Sequence, residues 1–183
     1  MCLFVTAVLP GSADVPGLAD VAARHGLRLA LTHNASVEKQ LHPGERLFFT
    51  NPRGCDCDTA LGSLRSAVTP IRIGNPEAEI AKLRRKGWTA AKISRRVEQR
   101  KAHDTAEDKR AATLQRLEAW RSLLAEMLTG KRTPSVGLLM HQYAGNVVSE
   151  DIALHRRESL RIDEVTLGSL GQMSEDVVYD FVA

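Results

Sequence analysis

The first apolar run, Met1–Leu9 (MCLFVTAVL), is rich in Val, Leu and Phe and is stopped by Pro10-Gly11, which predicts a strand and a breaker. Asp14 stands where a helix cap belongs, and Val15, Leu18, Val21 and Ala22 follow at spacings of three and four, predicting a helix to about His25 with Gly26 as its C-terminal stop. Leu27–Thr32 alternates apolar and other residues, the period of a strand with one face buried. A polar loop ending at Pro43-Gly44 leads into a third short strand, Arg46–Thr50, and then into a stretch dense in turn formers, Asn51–Asp58. Thr59–Ser66 is expected to add a helical turn.

A second half of different character begins at Pro76, which suits the first position of a helix, with Ile80 and Leu83 as its stripe. Gly87 ends that helix and Thr89 caps the next. From Thr89 to Leu128 nearly every residue is a good helix former, yet the apolar stripe is clear only at the ends: Ile93 and Val97 first, then Leu114, Leu117, Leu124 and Leu128. Between Glu98 and Arg110 nothing apolar exceeds alanine, so that part of the helix is expected to project into solvent or to break. Asp104 and Thr105, with acids three residues on, offer a capping box for a restart. After Gly130 and Pro134, three more strands are predicted: Val136–Tyr143, Ile152–Ile162 and a last edge strand at Asp176–Val182.

Strands this short, without a helix after each, predict an α+β fold with a mainly antiparallel sheet. The specific expectation is a ferredoxin-like βαββ start carrying a long helical hairpin, that is, a single domain over 1–183 with a helical insertion at 76–130. A length of 183 residues is enough for such a domain to form its core without disulfides or a structural metal. No run approaches a membrane span. The start also lacks the basic lead-in and cleavage site of a signal peptide, so a cytoplasmic location with reduced thiols is expected.

Charge changes the picture more than its total of +3 suggests. Residues 1–81 carry a net −1, residues 82–101 a net +8 and residues 102–183 a net −4. The alkaline balance therefore belongs to one segment. Its residues Lys82–Arg96 resemble the first two helices of a helix-turn-helix, with an apolar helix end, Gly87-x-Thr89 and then Ile93. A recognition helix should follow a second turn, whereas Arg96–Lys101 continues in helix-forming residues. Arg84, Arg85, Lys86, Lys92, Arg95, Arg96, Arg100 and Lys101 are the residues expected to meet a partner. The first expectation is a non-enzymatic binding or interaction protein that presents this basic helical segment to a protein partner or to a second copy, with no cofactor. An alternative is sequence-independent nucleic-acid binding through phosphates, although Trp88 alone gives little base stacking.

The densest chemistry is Cys55-Asp56-Cys57. Two thiolates so close could ligate one Zn²⁺ if Cys2, His33 or His141 converged on them, since zinc takes four ligands. They could also exchange a disulfide, but the flanking Asp56 and Asp58 would raise the thiol pKa values and disfavour redox chemistry. Buried packing of small thiols is the plainer reading. A metal or thiol site at Cys2, Cys55 and Cys57, with zinc as the cofactor, is the third expectation. Cys2 could act as an N-terminal nucleophile once Met1 is lost, though a strand residue that happens to be cysteine is the safer reading. Phosphate-loop, dinucleotide, serine-elbow and zincin spacings do not occur, and His141, inside an apolar strand, is the histidine to locate.

Overall fold

A computed structural model describes residues 2–51, 54–57, 59, 61, 84, 88–95 and 106–183. The chain divides into two compact units, Met1–Ser63 with Gln115–Ala183, and Leu64–Leu114. The first contains a mixed, mostly antiparallel sheet of six strands. In chain order its elements are β1 (Cys2–Leu9), α1 (Val15–Arg24), β2 (Ala30–Thr32), α2 (Ala35–Glu38), β3 (Arg46–Phe49), α3 (Ala106–Thr129, beginning in the other unit), β4 (Ser135–Tyr143), β5 (Arg156–Arg161), α4 (Leu167–Gly171) and β6 (Val177–Val182). The strand order is β2-β3-β1-β4-β6-β5, and only the β5–β6 pair is parallel.

Local chemistry accounts for the starts and stops. Asp14 caps α1 by accepting from the Gly17 amide at 3.1 Å. Gly26, at φ +73°, takes the left-handed conformation that ends the helix, which glycine adopts without steric cost. The central strands β1 and β4 pair from Cys2 opposite Tyr143 to Val8 opposite Gly137. Their residues alternate between two buried faces. On one, Ala7, Val136 and Leu138 line an apolar pocket with Ala22 of α1 and Trp120 and Leu124 of α3. On the other, Val8, Leu139, Tyr143 and Val178 pack with Val37 of α2 and Ile152.

This second face is covered mainly by irregular chain, and side-chain hydrogen bonds hold that chain in place. Buried Asn34 caps α2 through the Ser36 and Val37 amides and donates to the carbonyls of Val147 and Glu150, both at 2.9 Å. Gln40 bridges the Ile152 carbonyl and the Leu154 amide. A charged bridge lies across the same face. The Arg157 guanidinium donates to Asp180 on β6 and, at 2.5 and 2.8 Å, to Glu45 just before β3. Burial pushes Glu45 up, but the Arg157 guanidinium and the His42 amide outweigh it and hold its carboxyl below the usual range. Gly137 leaves room beside this bridge, since a Cβ there would stand 2.8 Å from Val8 Cβ and 3.1 Å from Asp180 Oδ1.

Several expectations change. The strand expected over Ile152–Ile162 is confined to Arg156–Arg161; Ile152 is instead a core residue of the preceding loop. Asp176–Val182 was expected at an edge, but β6 lies between β4 and β5, so β5 is the edge. Helix α2 falls within the polar loop expected before Pro43-Gly44, and α4 in a stretch for which no element is expected. In the second unit, Thr89 caps a helical stretch over 90–95 through the Lys92 amide at 3.4 Å, and Ile93 is buried. Leu117, Leu124 and Leu128 of the expected α3 stripe are buried, whereas Leu114 is 42% exposed. The break expected near 103–105, most of Thr59–Ser66 and the helix after Pro76 apart from helical Arg84 lie outside the described residues. No helix among the described residues is long and apolar enough to cross a membrane.

Candidate metal centre

The pairing of β1 creates the site. Strand β3 covers β1 only from Thr6 to Leu9, so the same edge of Cys2–Val5 needs other hydrogen-bond partners. The turn containing Cys55-Asp56-Cys57 supplies them. The Asp56 amide donates to the Leu3 carbonyl at 2.7 Å, the Leu3 amide donates to Cys57 Sγ at 3.3 Å, and the Val5 amide donates to Asp56 Oδ2 at 2.8 Å. Thr50 closes the join by donating its hydroxyl to the Val5 carbonyl. A turn 50 residues downstream is thereby fixed against the beginning of the chain.

The consequence is that the Sγ atoms of Cys2, Cys55 and Cys57 all lie within 4.8 Å of one another. Cys2 and Cys57 are exposed, Cys55 is half-buried, and none is in a disulfide. A hydrogen bond to Cys55 and the proximity of its sulfur raise the Cys2 thiol pKa, with burial adding to the rise. Thiols crowded in this way resist separate ionisation, and a cation among them removes the repulsion. Tetrahedral thiolates at about 2.3 Å from zinc stand about 3.8 Å apart, and trigonal ones about 4.0 Å. Sulfurs within 4.8 Å are therefore one small movement from either geometry.

Asp56 is not a fourth ligand. Its carboxylate turns inward, and Oδ1 is buried without a hydrogen-bond partner. Burial pushes its pKa up to about 6, against the downward pull of the Val5 amide and of the Thr59 and Asn51 side chains. Nor do the two histidines join the thiols among the described residues. His33 is exposed and faces Glu38 at 2.9 Å. His141 stands on β4 between two carboxylates, with Nδ1 at 2.5 Å from Asp176 and Nε2 at 3.4 Å from Glu150. The amides of Gly145 and Ala144 hold Glu150 below the usual carboxylate range, with His141 contributing. Burial, helped by Glu150 and Asp176, pushes neighbouring Tyr143 up to about 12. With both ring nitrogens engaged, His141 is a clamp joining β4 to the following loop and to the start of β6.

Sequence reading therefore identified the three thiols but missed what unites them. Asp56 was read as a flanking charge, whereas it is the docking group, and the carboxylates facing His141 lie 9 and 35 residues away. The β4–β6 register, with Leu139 opposite Val178, is what carries Asp176 to His141. Of the basic residues expected to meet a partner, Arg84, Lys92 and Arg95 are exposed, and Lys92 Nζ lies 4.5 Å over the Trp88 ring. Arg85, Lys86, Arg96, Arg100 and Lys101 lie outside the described residues. In comparisons with known proteins, no family model, no curated protein and no solved structure matches this chain.

Proposed function

We propose that this protein binds a thiophilic metal ion through Cys2, Cys55 and Cys57. The observation that carries the reading is the approach of three sulfurs to within 4.8 Å, one of them from a residue more than 50 positions before the other two. Chance packing of small thiols does not require a buried carboxylate and two further hydrogen bonds to β1 to hold the turn in register. Thiolates are soft ligands suited to zinc and copper(I), and binding replaces thiol protons with the ion. The order β2-β3-β1-β4, with α1 after the first strand and α3 before the fourth, supports a ferredoxin-like reading of the core that carries the site.

Elemental analysis of protein purified without chelator is the test. About one equivalent of zinc or copper per chain is expected, lost in Cys55→Ser. A metal-free protein that also fails to take up either ion after full reduction refutes the reading. A second reading has its own support: exposed Arg84, Lys92 and Arg95 suit the basic segment to an acidic partner or to phosphates. Binding to such a probe should fall steeply with salt, and no binding at low salt ends it.

A further inference from the structure

We infer that the ion taken by this site is a soft monovalent cation of the copper(I) class, held by three thiolates and open to exchange with an incoming thiol. The inference rests on the metal-binding reading above and specifies its ligand. Three observations carry it. The clustered donors are all sulfur, and the Asp56 carboxylate between Cys55 and Cys57 is committed to the Val5 amide at 2.8 Å, so the described residues offer no oxygen set for a hard cation such as Mg²⁺ or Ca²⁺. Among the described residues, no fourth His, Cys, Asp or Glu joins the three. A structural zinc site completes four protein ligands, whereas three thiolates satisfy a d¹⁰ monovalent ion in a trigonal arrangement. Finally, Cys2 and Cys57 are exposed, so one side of a bound ion faces solvent.

That open side defines how the ion would leave. An incoming thiolate forms a sulfur–metal bond, one protein sulfur–metal bond breaks, and the departing cysteine takes up the proton released by the incoming thiol. The metal keeps its oxidation state throughout. A chain built this way buffers or passes on the ion, in contrast to a closed site that retains it for folding.

The test uses the full-length reduced protein under anaerobic conditions, loaded with one equivalent of Zn²⁺ and titrated with copper(I) against the chromophoric chelator bicinchoninate. Zinc release is read by a second chromophoric chelator. Copper(I) is expected to displace zinc at one ion per chain. Cys2→Ser is expected to weaken copper(I) retention by roughly 100-fold or more, since even outer-shell changes cost 10- to 100-fold. Cys55→Ala provides a second variant that leaves the Leu3–Cys57 contact intact, with circular dichroism confirming the fold. Zinc that copper(I) cannot displace overturns the inference and leaves the metal-binding reading standing. Retention of neither ion overturns both, and copper(I) held equally by Cys2→Ser and Cys55→Ala shows that the ion sits elsewhere.

Discussion

Replacing Arg157 with alanine removes the bridge that spans the second face of the sheet. In the native protein its guanidinium is 23% exposed and pairs with Glu45 and Asp180, which are 7% and 14% exposed. The truncation leaves two carboxylates facing each other without a counter-ion. Removing one partner of a buried pair typically costs about 3–5 kcal/mol, most of it the penalty of the stranded charge. For a chain of this length that corresponds to a drop in Tm of roughly 6–20 °C. The sign of the pH dependence follows from Glu45. Because its folded pKa lies below the ordinary 4.5, its stabilisation is present above that pH and is lost as pH falls through the folded value. Urea denaturation of wild type and Arg157→Ala at pH 7 and at pH 3.5 is the assay, and the difference should shrink at the lower pH. A neutral triple variant, Arg157→Met with Glu45→Gln and Asp180→Asn, should recover much of the loss, as replacement of whole buried pairs often does. A cost below about 1 kcal/mol for Arg157→Ala would place the bridge among ordinary surface pairs and show that the two carboxylates are not stranded by its loss.

Other substitutions probe the remaining supports. Gly137→Ala places a Cβ 2.8 Å from Val8 Cβ and is expected to cost about 1–3 kcal/mol through overpacking; a wild-type denaturation midpoint would show that β1 and β4 yield easily. Asn34→Ala removes the α2 cap and two hydrogen bonds to the loop carbonyls, at an expected cost of about 1–3 kcal/mol. Amide exchange should accelerate over 144–154 in that variant, and unchanged protection there would contradict the role assigned to Asn34. Asp56→Asn keeps an acceptor for the Val5 amide and removes a buried charge. Since burial raises the Asp56 pKa from 3.8 to about 6, the charge destabilises the native state by up to about 3 kcal/mol above pH 6, an effect that fades as pH falls towards 4. In chelator-treated protein, Asp56→Asn should therefore be the more stable at pH 8 and equal to wild type near pH 4; a loss at pH 8 contradicts this.

The parts of the fold legible in the sequence are those whose pattern is local. β1, α1, β3 and β4 carry apolar runs or periodicities bounded by Pro, Gly or a capping Asp, and the structure places them within a few residues of expectation. What escaped depends on partners distant in sequence. Helix α2 has four residues and no stripe of its own; it exists because Asn34 ties it to a loop more than 110 residues on. Strand β5 is RRESLR, with no apolar alternation, and is held by pairing to β6 and by the Arg157 bridge. The apolar alternation at Ile152 and Leu154 indicates burial, which a loop satisfies as well as a strand does. The candidate site divides in the same way: Cys55 and Cys57 are visible as neighbours, but the arrival of Cys2 depends on β3 being too short to cover the start of β1.

X-ray absorption at the edge of the bound metal decides whether these three thiols form one metal centre. Three sulfur scatterers at about 2.3 Å are expected, falling to two in Cys2→Ser. A first shell of oxygen and nitrogen, or a sulfur count unchanged by that substitution, would contradict a shared centre.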